Sequence, residues 1–464
     1  MDGVANDVAA VRGALAPRPE STSEAARGTA TLGFRALPPA VVLRIFAFVP
    51  ADARARAALV CRAWRDAIAE PSLWALLDLS CASGVAVAVT DAVLRGAVAR
   101  ARGQVTVMVL DLNDDISDDA LLEAATSQQG TLRQLHWLSE KADKNKVAFF
   151  NVVEEVARAV PQLSIFVVDV AASVAEGTRL LRNEAPFEAL RVRCLEVDQP
   201  TEDGEATAAD VLSLVAALRG HASLRELSLR DVSLRSAAVL DTLAAAVVAG
   251  RLSRLVLCNC GLSPASVPAL VHILRGGALT VLDIVNNGAL LFDVPAAVQL
   301  ADALVAHRSL QVFELYSAQL WSDPVATAAI IGALTRHPSL QSLFLCSDTP
   351  ANRAAAGAAL SALVAANSPS LHHLSLSHLH LGDDGLRHVL AALPCNRHLQ
   401  MLDLEGAGMS DEFARDVLLP AVRASASLRT LLASKWWGGD EDGVAPPAVL
   451  EAEALVAARG GASS

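Results

Sequence analysis

One short apolar pattern, L-x-x-L-x-L, recurs along most of the chain and constrains its fold more than any other feature. In the second half the pattern begins at eight leucines that lie 27 to 31 residues apart: Leu224, Leu252, Leu279, Leu310, Leu340, Leu371, Leu399 and Leu428. Weaker copies extend the array toward the N-terminus from Trp74, Val107, Leu132, Leu163 and Val192. A repeat of this length indicates supersecondary units that must stack on one another to bury their apolar faces.

Each repeat has the composition of one strand followed by one helix. The six-residue pattern alternates between leucine and variable residues with a period of two, as a strand with one buried face does. A turn and a helical segment follow, as in 264–276 and 382–394, and proline recurs at the first helical turn, where its missing N–H has no cost. We therefore predict an α/β fold with a parallel sheet inside and helices outside.

The repeats resemble the leucine-rich repeats of the ribonuclease-inhibitor class, whose unit reads L-x-x-L-x-L-x-x-N/C-x-L. Residues 252–262, LSRLVLCNCGL, match this unit at every position, with Cys260 at the position where side chains form a ladder between repeats. Asn287 holds the same position one repeat later. The resemblance covers about residues 74–437 and implies a horseshoe-shaped solenoid, with strands on the concave side and helices on the convex side. We expect 435–442 and a helix near 448–459 to cover the last repeat.

A different apolar pattern precedes the repeats. Val41, Val42, Ile45, Phe46 and Val49 recur at helical spacing and form an apolar stripe that a module of about 40 residues cannot bury alone. A partner should therefore complete the module, in the manner of a helix in a groove. The alternative is that these residues only form the core of the module.

The segment 37–74 resembles an F-box. The matching anchors are Leu37-Pro38, Ile45-Phe46, Val49-Pro50, the VCRAW run of 60–64 and the PSLW run of 71–74. Ala40 and Ala53-Arg54 depart from the family, which often has Glu and Asp-Leu there. The resemblance implies binding to the Skp-type adaptor of SCF ubiquitin ligases. We expect the adaptor to contact Leu37, Pro38, Val42, Ile45, Phe46, Val49 and Pro50, whereas Val60 and Trp64 should face inward.

The outward strand positions of the central repeats predict a second binding surface. They are apolar where they could have been polar, at Val256, Val281, Val285, Val312, Tyr316 and Phe344, and contiguous exposed apolar surface usually marks a partner site. Because neighbouring strands lie about 4.8 Å apart, Asp283 should stand beside Glu314, and two such carboxylates need a cation. Our hypothesis is that the substrate docks here with an apolar segment and a Lys or Arg. The alternative is that the repeats merely tolerate these residues.

Composition and charge exclude several other functions. The chain has 38 Lys+Arg against 50 Asp+Glu, a net charge of −12, which argues against binding nucleic acid or anionic membranes. No apolar run is long enough to span a bilayer, so we expect a soluble protein. The N-terminus does not have the pattern of a secretory or transit peptide, and the seven cysteines have no disulfide spacing. We therefore expect a location in the cytoplasm, the nucleus or both.

No residue set predicts catalysis, a metal site or a cofactor. The phosphate-binding, dinucleotide-binding and zinc-protease motifs are all missing from the sequence. Histidines cluster at His372, His373, His378, His380 and His388, but the repeat register scatters them. On the concave side only Arg230 and Arg254 are basic, too few for a small anionic ligand such as an inositol phosphate.

Together these features predict four regions and a non-catalytic role. The regions are a disordered head at 1–33, an F-box at 34–78, leucine-rich repeats at 79–437 and an acidic cap and tail at 438–464. The resemblance implies a substrate-recognition subunit of an SCF-type ubiquitin ligase, which joins an adaptor, and through it a cullin, to an unknown protein substrate. The alternative is a repeat scaffold that binds partners without delivering them to a cullin ligase.

Overall fold

The computed structural model describes residues 37–49, 51–80, 89–111, 116–138, 146–168, 173–183, 187–193, 207–291, 293–317, 319–347, 352–434 and 445–461. The predicted disordered head, Pro50 and the segment 435–442 lie outside these ranges. The chain divides into two compact units, one of Met1–Ala172 with Asn183–Leu190 and the other of Ser173–Arg182 with Arg191–Ser464. Within the described ranges, no helix has both the length and the apolarity that crossing a membrane requires.

The first unit begins with a module of short helices around two tryptophans. The helices are α1 (Pro39–Ala47), α2 (Ala51–Ala57) and α3 (Arg62–Ile68), and a 3-10 turn follows at Pro71–Trp74. The side chain of Trp74 is buried, and its indole N–H donates to the carbonyl oxygen of Ile68 at 2.9 Å. The ring of Phe46 meets Trp64 edge-on, with 5.4 Å between centroids. These aromatic contacts hold the helices together.

The remainder of the first unit repeats strand and helix. Parallel strands pair in chain order and alternate with helices: β1 (Leu76–Asp78), α4 (Asp91–Ala101), β2 (Val107–Asp111), α5 (Asp118–Ser127), β3 (Gln134–Leu138), α6 (Lys146–Ala159), β4 (Ser164–Val168) and β5 (Phe187–Arg193). Leu77, Met108 and Leu135 take equivalent register positions in β1, β2 and β3 and are fully buried. The weaker copies that begin at Trp74, Val107, Leu132 and Leu163 therefore form the predicted strands, whereas β5 begins five residues before the copy expected from Val192, most of which lies outside the described ranges.

The second unit continues the same alternation with more regular repeats. Its helices are α7 (Val174–Arg182), α8 (Ala208–Ala217), α9 (Ala237–Ala249), α10 (Val267–Gly276), α11 (Val294–Ala306), α12 (Pro324–Thr335), α13 (Arg353–Ala365), α14 (Gly382–Ala392), α15 (Asp411–Phe413), α16 (Leu419–Ala424) and α17 (Pro447–Gly461), with a π-helical turn at Ala414–Leu418. Its parallel strands pair in chain order: β6 (Glu226–Arg230), β7 (Arg254–Cys258), β8 (Val281–Val285), β9 (Val312–Tyr316), β10 (Ser342–Cys346), β11 (His373–Ser375), β12 (Met401–Asp403) and β13 (Thr430–Leu432). The predicted α/β repeat fold is confirmed.

The ladder positions of two successive repeats, Cys260 and Asn287, are buried and hydrogen-bonded to backbone. The side-chain oxygen of Asn287 accepts from the amides of Cys260 and Leu262, at 3.0 and 3.2 Å, and its amide group donates to the carbonyl oxygens of Leu257 and Val285. These four bonds satisfy the amide side chain completely. Cys260 is also fully buried, and burial raises the pKa of its thiol to about 12. The cysteine therefore has a structural position rather than a reactive one.

The last helix covers the last strand. The carboxylate of Glu453 in α17 accepts from the backbone amides of Ala433 and Ser434, at 2.7 and 2.9 Å. Arg459, at the other end of α17, donates to the carbonyl oxygens of Val422 and Ser425. These bonds pair backbone groups that would otherwise be left open at the end of the array.

Candidate protein-binding surfaces

Helix α1 is apolar on two sides, and only one of them is covered. Val42 and Phe46 are buried and Val49, one turn further on, is half-buried, so this side faces the module. The adjacent side, about 100° around the helix axis, presents an outer stripe of three apolar side chains at the same helical spacing: Val41, Ile45 and Phe48, which are 41%, 40% and 46% exposed. The two stripes together form one wide apolar face, of which the module covers only one part, so the uncovered part is a candidate contact for a second polypeptide.

The residues expected to contact the adaptor differ in their exposure. Pro38 and Ile45 are exposed, while Leu37 and Val49 are half-buried. Val42 and Phe46 require a correction, because both side chains are buried in the module's own core and Phe46 packs on the Trp64 ring. Adaptor contact through α1 is therefore better expected from the outer stripe.

Val60 is also placed differently from the expectation. Its side chain is 65% exposed, and that of the preceding Leu59 is 77% exposed, in the turn between α2 and α3. Trp64, expected inward with Val60, is half-buried. Two neighbouring exposed apolar residues in one turn add to the uncovered apolar surface of the first unit. The sequence contained a signal for the outer stripe, since apolar residues occur in adjacent pairs at 41–42, 45–46 and 48–49.

Arg54, one of the positions that depart from the F-box pattern, is a buried cation. Its guanidinium donates to the carbonyl oxygens of Val49 (2.6 Å), Ala47 (3.1 Å) and Leu73. The guanidinium also lies over the ring of Trp74, 5.9 Å from its centroid. Burial lowers the pKa of Arg54. The side chain thus joins the C-terminal end of α1 to the 3-10 turn.

The second candidate surface is formed by the outward side chains of β6–β12, here called the strand face. The register places Asp283 directly opposite Glu314, as expected, and Phe344 on the other side of Glu314. The apolar residues expected to be exposed on the strand face are instead half-buried: Val256, Val281, Val285, Val312, Tyr316 and Phe344.

The expected role of Asp283 requires a correction. Its side chain is buried, and Nη2 of Arg254 lies 3.0 Å from its carboxylate oxygen Oδ2. Arg254 therefore already supplies the cation that was assigned to a substrate. Burial raises the pKa of the Asp283 carboxyl, and the charge of Arg254 opposes this rise.

Unlike Asp283, Glu314 forms no ion pair with an arginine in the described part of the chain. Its carboxylate is half-buried, and no side chain or amide in the described part of the chain hydrogen-bonds to it. Burial raises the pKa of Glu314 and the neighbouring charge of Asp283 raises it further, while the charges of Arg254 and Arg230 offset this rise only in part. This carboxylate is therefore held in surroundings that disfavour its charged form.

Polar side chains continue the strand face toward β12. The hydroxyl of Ser375 donates to the carboxylate of Asp403 at 2.8 Å, and the hydroxyl of Ser342 lies 3.1 Å from Nδ1 of His373. Burial lowers the pKa of His373. In the described ranges, no carboxylate hydrogen-bonds to the other ring nitrogen of His373, so this serine–histidine pair lacks the third group of a catalytic triad. No group of three potential metal ligands occurs in these ranges either.

The described elements define a class of protein: a strand–helix repeat protein with a module of short helices at residues 37–74. Residues 34–80 match the F-box-like family, so the chain carries an F-box-like domain. A search of curated proteins gives no match. Among solved structures, the chain is similar to one in the Rad7–Elc1 complex of yeast, with 15% identity, a TM-score of 0.42 and coverage of 80% of this chain and 82% of that one. It is also similar to one in a TLR13–ssRNA13 complex, with 15% identity, a TM-score of 0.37 and coverage of 74% and 52%.

Proposed function

We propose that this protein is the substrate-recognition subunit of an SCF-type ubiquitin ligase. The F-box-like domain binds a Skp-type adaptor and, through it, a cullin. The repeats bind the protein that is to be ubiquitinated. The observation that carries this proposal is the outer stripe of α1, which lies inside the F-box-like match and leaves three large apolar side chains uncovered. A second polypeptide that buried the outer stripe would gain the free energy of removing that surface from water.

The proposed contribution to the reaction is positioning. A receptor that holds a substrate close to a ubiquitin-charged enzyme raises the effective concentration of the two reactants and needs no reactive group of its own. We therefore infer a non-catalytic subunit, whose strand face offers half-buried apolar and acidic side chains to the substrate.

We further propose that it acts in the cytoplasm, the nucleus or both. The described cysteines support a reducing compartment, because all of them are free thiols: Cys61, Cys258, Cys260, Cys346 and Cys395.

Co-purification of the adaptor tests the proposal. The full chain should retain a Skp-type adaptor and a cullin from cell extract. The double substitution Ile45→Asp with Val60→Asp should reduce the retained adaptor at least about tenfold, because losing buried anchors of an interface commonly costs about 2 kcal/mol each. Both residues are exposed, so the module should still fold. Phe46→Asp is unsuitable, because it would place a charge in the core of the module.

The matched control is Val325→Asp in α12. Val325 is 58% exposed and apolar but belongs to the second unit, so this variant should retain the adaptor fully. If the unaltered chain retains neither adaptor nor cullin, the alternative of a repeat scaffold outside the ligase replaces the proposal.

A further inference from the structure

Glu314 occupies the centre of the strand face among apolar neighbours. Val312 and Tyr316 flank it on β9, and the register places Phe344 of β10 directly beside it. On its other side stands Asp283, whose charge is already matched by Arg254. Glu314 is thus a half-buried carboxylate with an aromatic ring next to it and no hydrogen-bonding partner in the described part of the chain.

The strand face as a whole carries an excess of negative charge. Its outward positions hold two arginines, Arg230 and Arg254. The carboxylates on the same face are Glu226, Asp283, Glu314 and Asp403, together with Glu405, which lies two residues after Asp403 and so continues the alternation of β12. One of the two arginines is already paired with Asp283. A partner segment that lies beside Glu314 and Phe344 would therefore complement this part of the strand face with positive charge as well as apolar surface.

We propose that the strand face binds an arginine set among apolar residues in an extended segment of the ubiquitination substrate. The guanidinium pairs with Glu314 and stacks on the ring of Phe344. The apolar neighbours of the arginine pack on Val281 and Val312, which are opposite one another in the register. This inference rests on the proposed function, because it names the class of substrate segment that the receptor recognises.

Arginine fits this position better than lysine. A guanidinium is planar, so it can stack on an aromatic ring while two of its N–H groups bond to one carboxylate. A lysine ammonium presents no flat surface. It is also more strongly hydrated, so it would lose more hydration free energy on entering a half-buried site.

The ionised form of Glu314 is disfavoured in the free protein, so a cation that pairs with the carboxylate would relieve this cost. Burial and the nearby Asp283 both raise its pKa, so the ionised form is disfavoured in the folded chain. Glu314→Gln keeps the shape of the side chain and removes the charge. This variant should unfold at the same temperature as the parent protein or at a higher one.

Peptide selection tests the inference on the full chain. The probe is a synthetic library of short peptides with a central arginine and flanking positions randomised over Val, Leu, Ile, Phe, Ala and Ser. The comparison library carries citrulline, which has the shape of arginine without its charge. The protein should enrich arginine peptides and bind their citrulline counterparts about tenfold more weakly or worse, and Glu314→Gln should weaken arginine binding by a similar factor. Phe344→Leu should weaken it several-fold.

The matched control is Asp302→Asn, an exposed carboxylate on α11 of the second unit and outside the strand face, which should leave peptide binding unchanged. The inference is overturned if the parent protein enriches no arginine peptide, if citrulline peptides bind equally well, or if Glu314→Gln keeps full affinity. Adaptor retention, measured on the same variants, should not change. Loss of adaptor retention in the parent protein with peptide binding intact would instead contradict the proposed ligase role.

Discussion

At the scale of single residues, Arg54 shows how a charge can hold a small module together. A module of short helices leaves carbonyl oxygens unpaired at each helix end, and here one buried guanidinium bonds to those of Ala47, Val49 and Leu73. The sequence places Arg54 on a helix but does not predict its burial. That burial depends on where the end of α1 and the 3-10 turn meet, which no local pattern encodes.

Replacing Arg54 should therefore loosen the first unit. Arg54→Met keeps much of the apolar stem but leaves one buried and two partly buried carbonyl oxygens without their donor. We therefore expect a loss of at least about 2 kcal/mol. Thermolysin cleavage of the native protein within 37–80 should accelerate roughly thirtyfold, because cleavage follows the population of the opened form. Arg62→Met, an exposed arginine on the neighbouring helix, should leave the rate unchanged. Equal rates for the two variants would show that the bonds of Arg54 contribute little.

At the scale of elements, the repeat pattern predicted strands and helices well because one buried face is encoded in every copy. The turns after the strands are regular as well. The residue before the ladder position has a left-handed backbone conformation, with positive φ, at Asp231, Asn259, Asn286, His378 and Gly406. Such positions favour Gly, Asn and Asp. The distance between neighbouring helices was not predictable, because it depends on which small residues face one another. Gly357 of α13 lies against Gly385 of α14 so closely that an added Cβ would stand 2.7 Å from the Gly385 carbonyl oxygen.

Two glycine-to-alanine substitutions distinguish the effect of this close packing on stability from the effect of helix propensity. Gly357→Ala should destabilise the second unit by about 1–3 kcal/mol, because the clash is with backbone that cannot rotate away. Gly332→Ala in α12 should stabilise it by about 0.5–1 kcal/mol, since nothing lies within 4 Å of the new methyl group. Urea denaturation of both variants provides the measurement. Stabilisation by Gly357→Ala would mean that α13 and α14 are free to move apart.

At the scale of the whole molecule, the sequence predicted a helical docking module followed by stacked strand–helix repeats, because both patterns are specific and long. It predicted the candidate surfaces only in part. The register correctly placed Asp283 beside Glu314, but the ion pair of Asp283 with Arg254 is diagonal across two strands and depends on the reach of a long side chain. Likewise, helical spacing identified the apolar residues of α1 but not which of them its own module covers.

Deuterium uptake by α1, with and without a purified Skp-type adaptor, tests most directly whether the F-box-like domain is completed by a second polypeptide. The full chain at saturating adaptor should exchange more slowly across α1 and at the turn that holds Leu59 and Val60, while α12 in the second unit remains unchanged. Unchanged uptake across α1 at adaptor concentrations that saturate other F-box proteins would contradict the account, because the outer stripe would then have no adaptor to cover it.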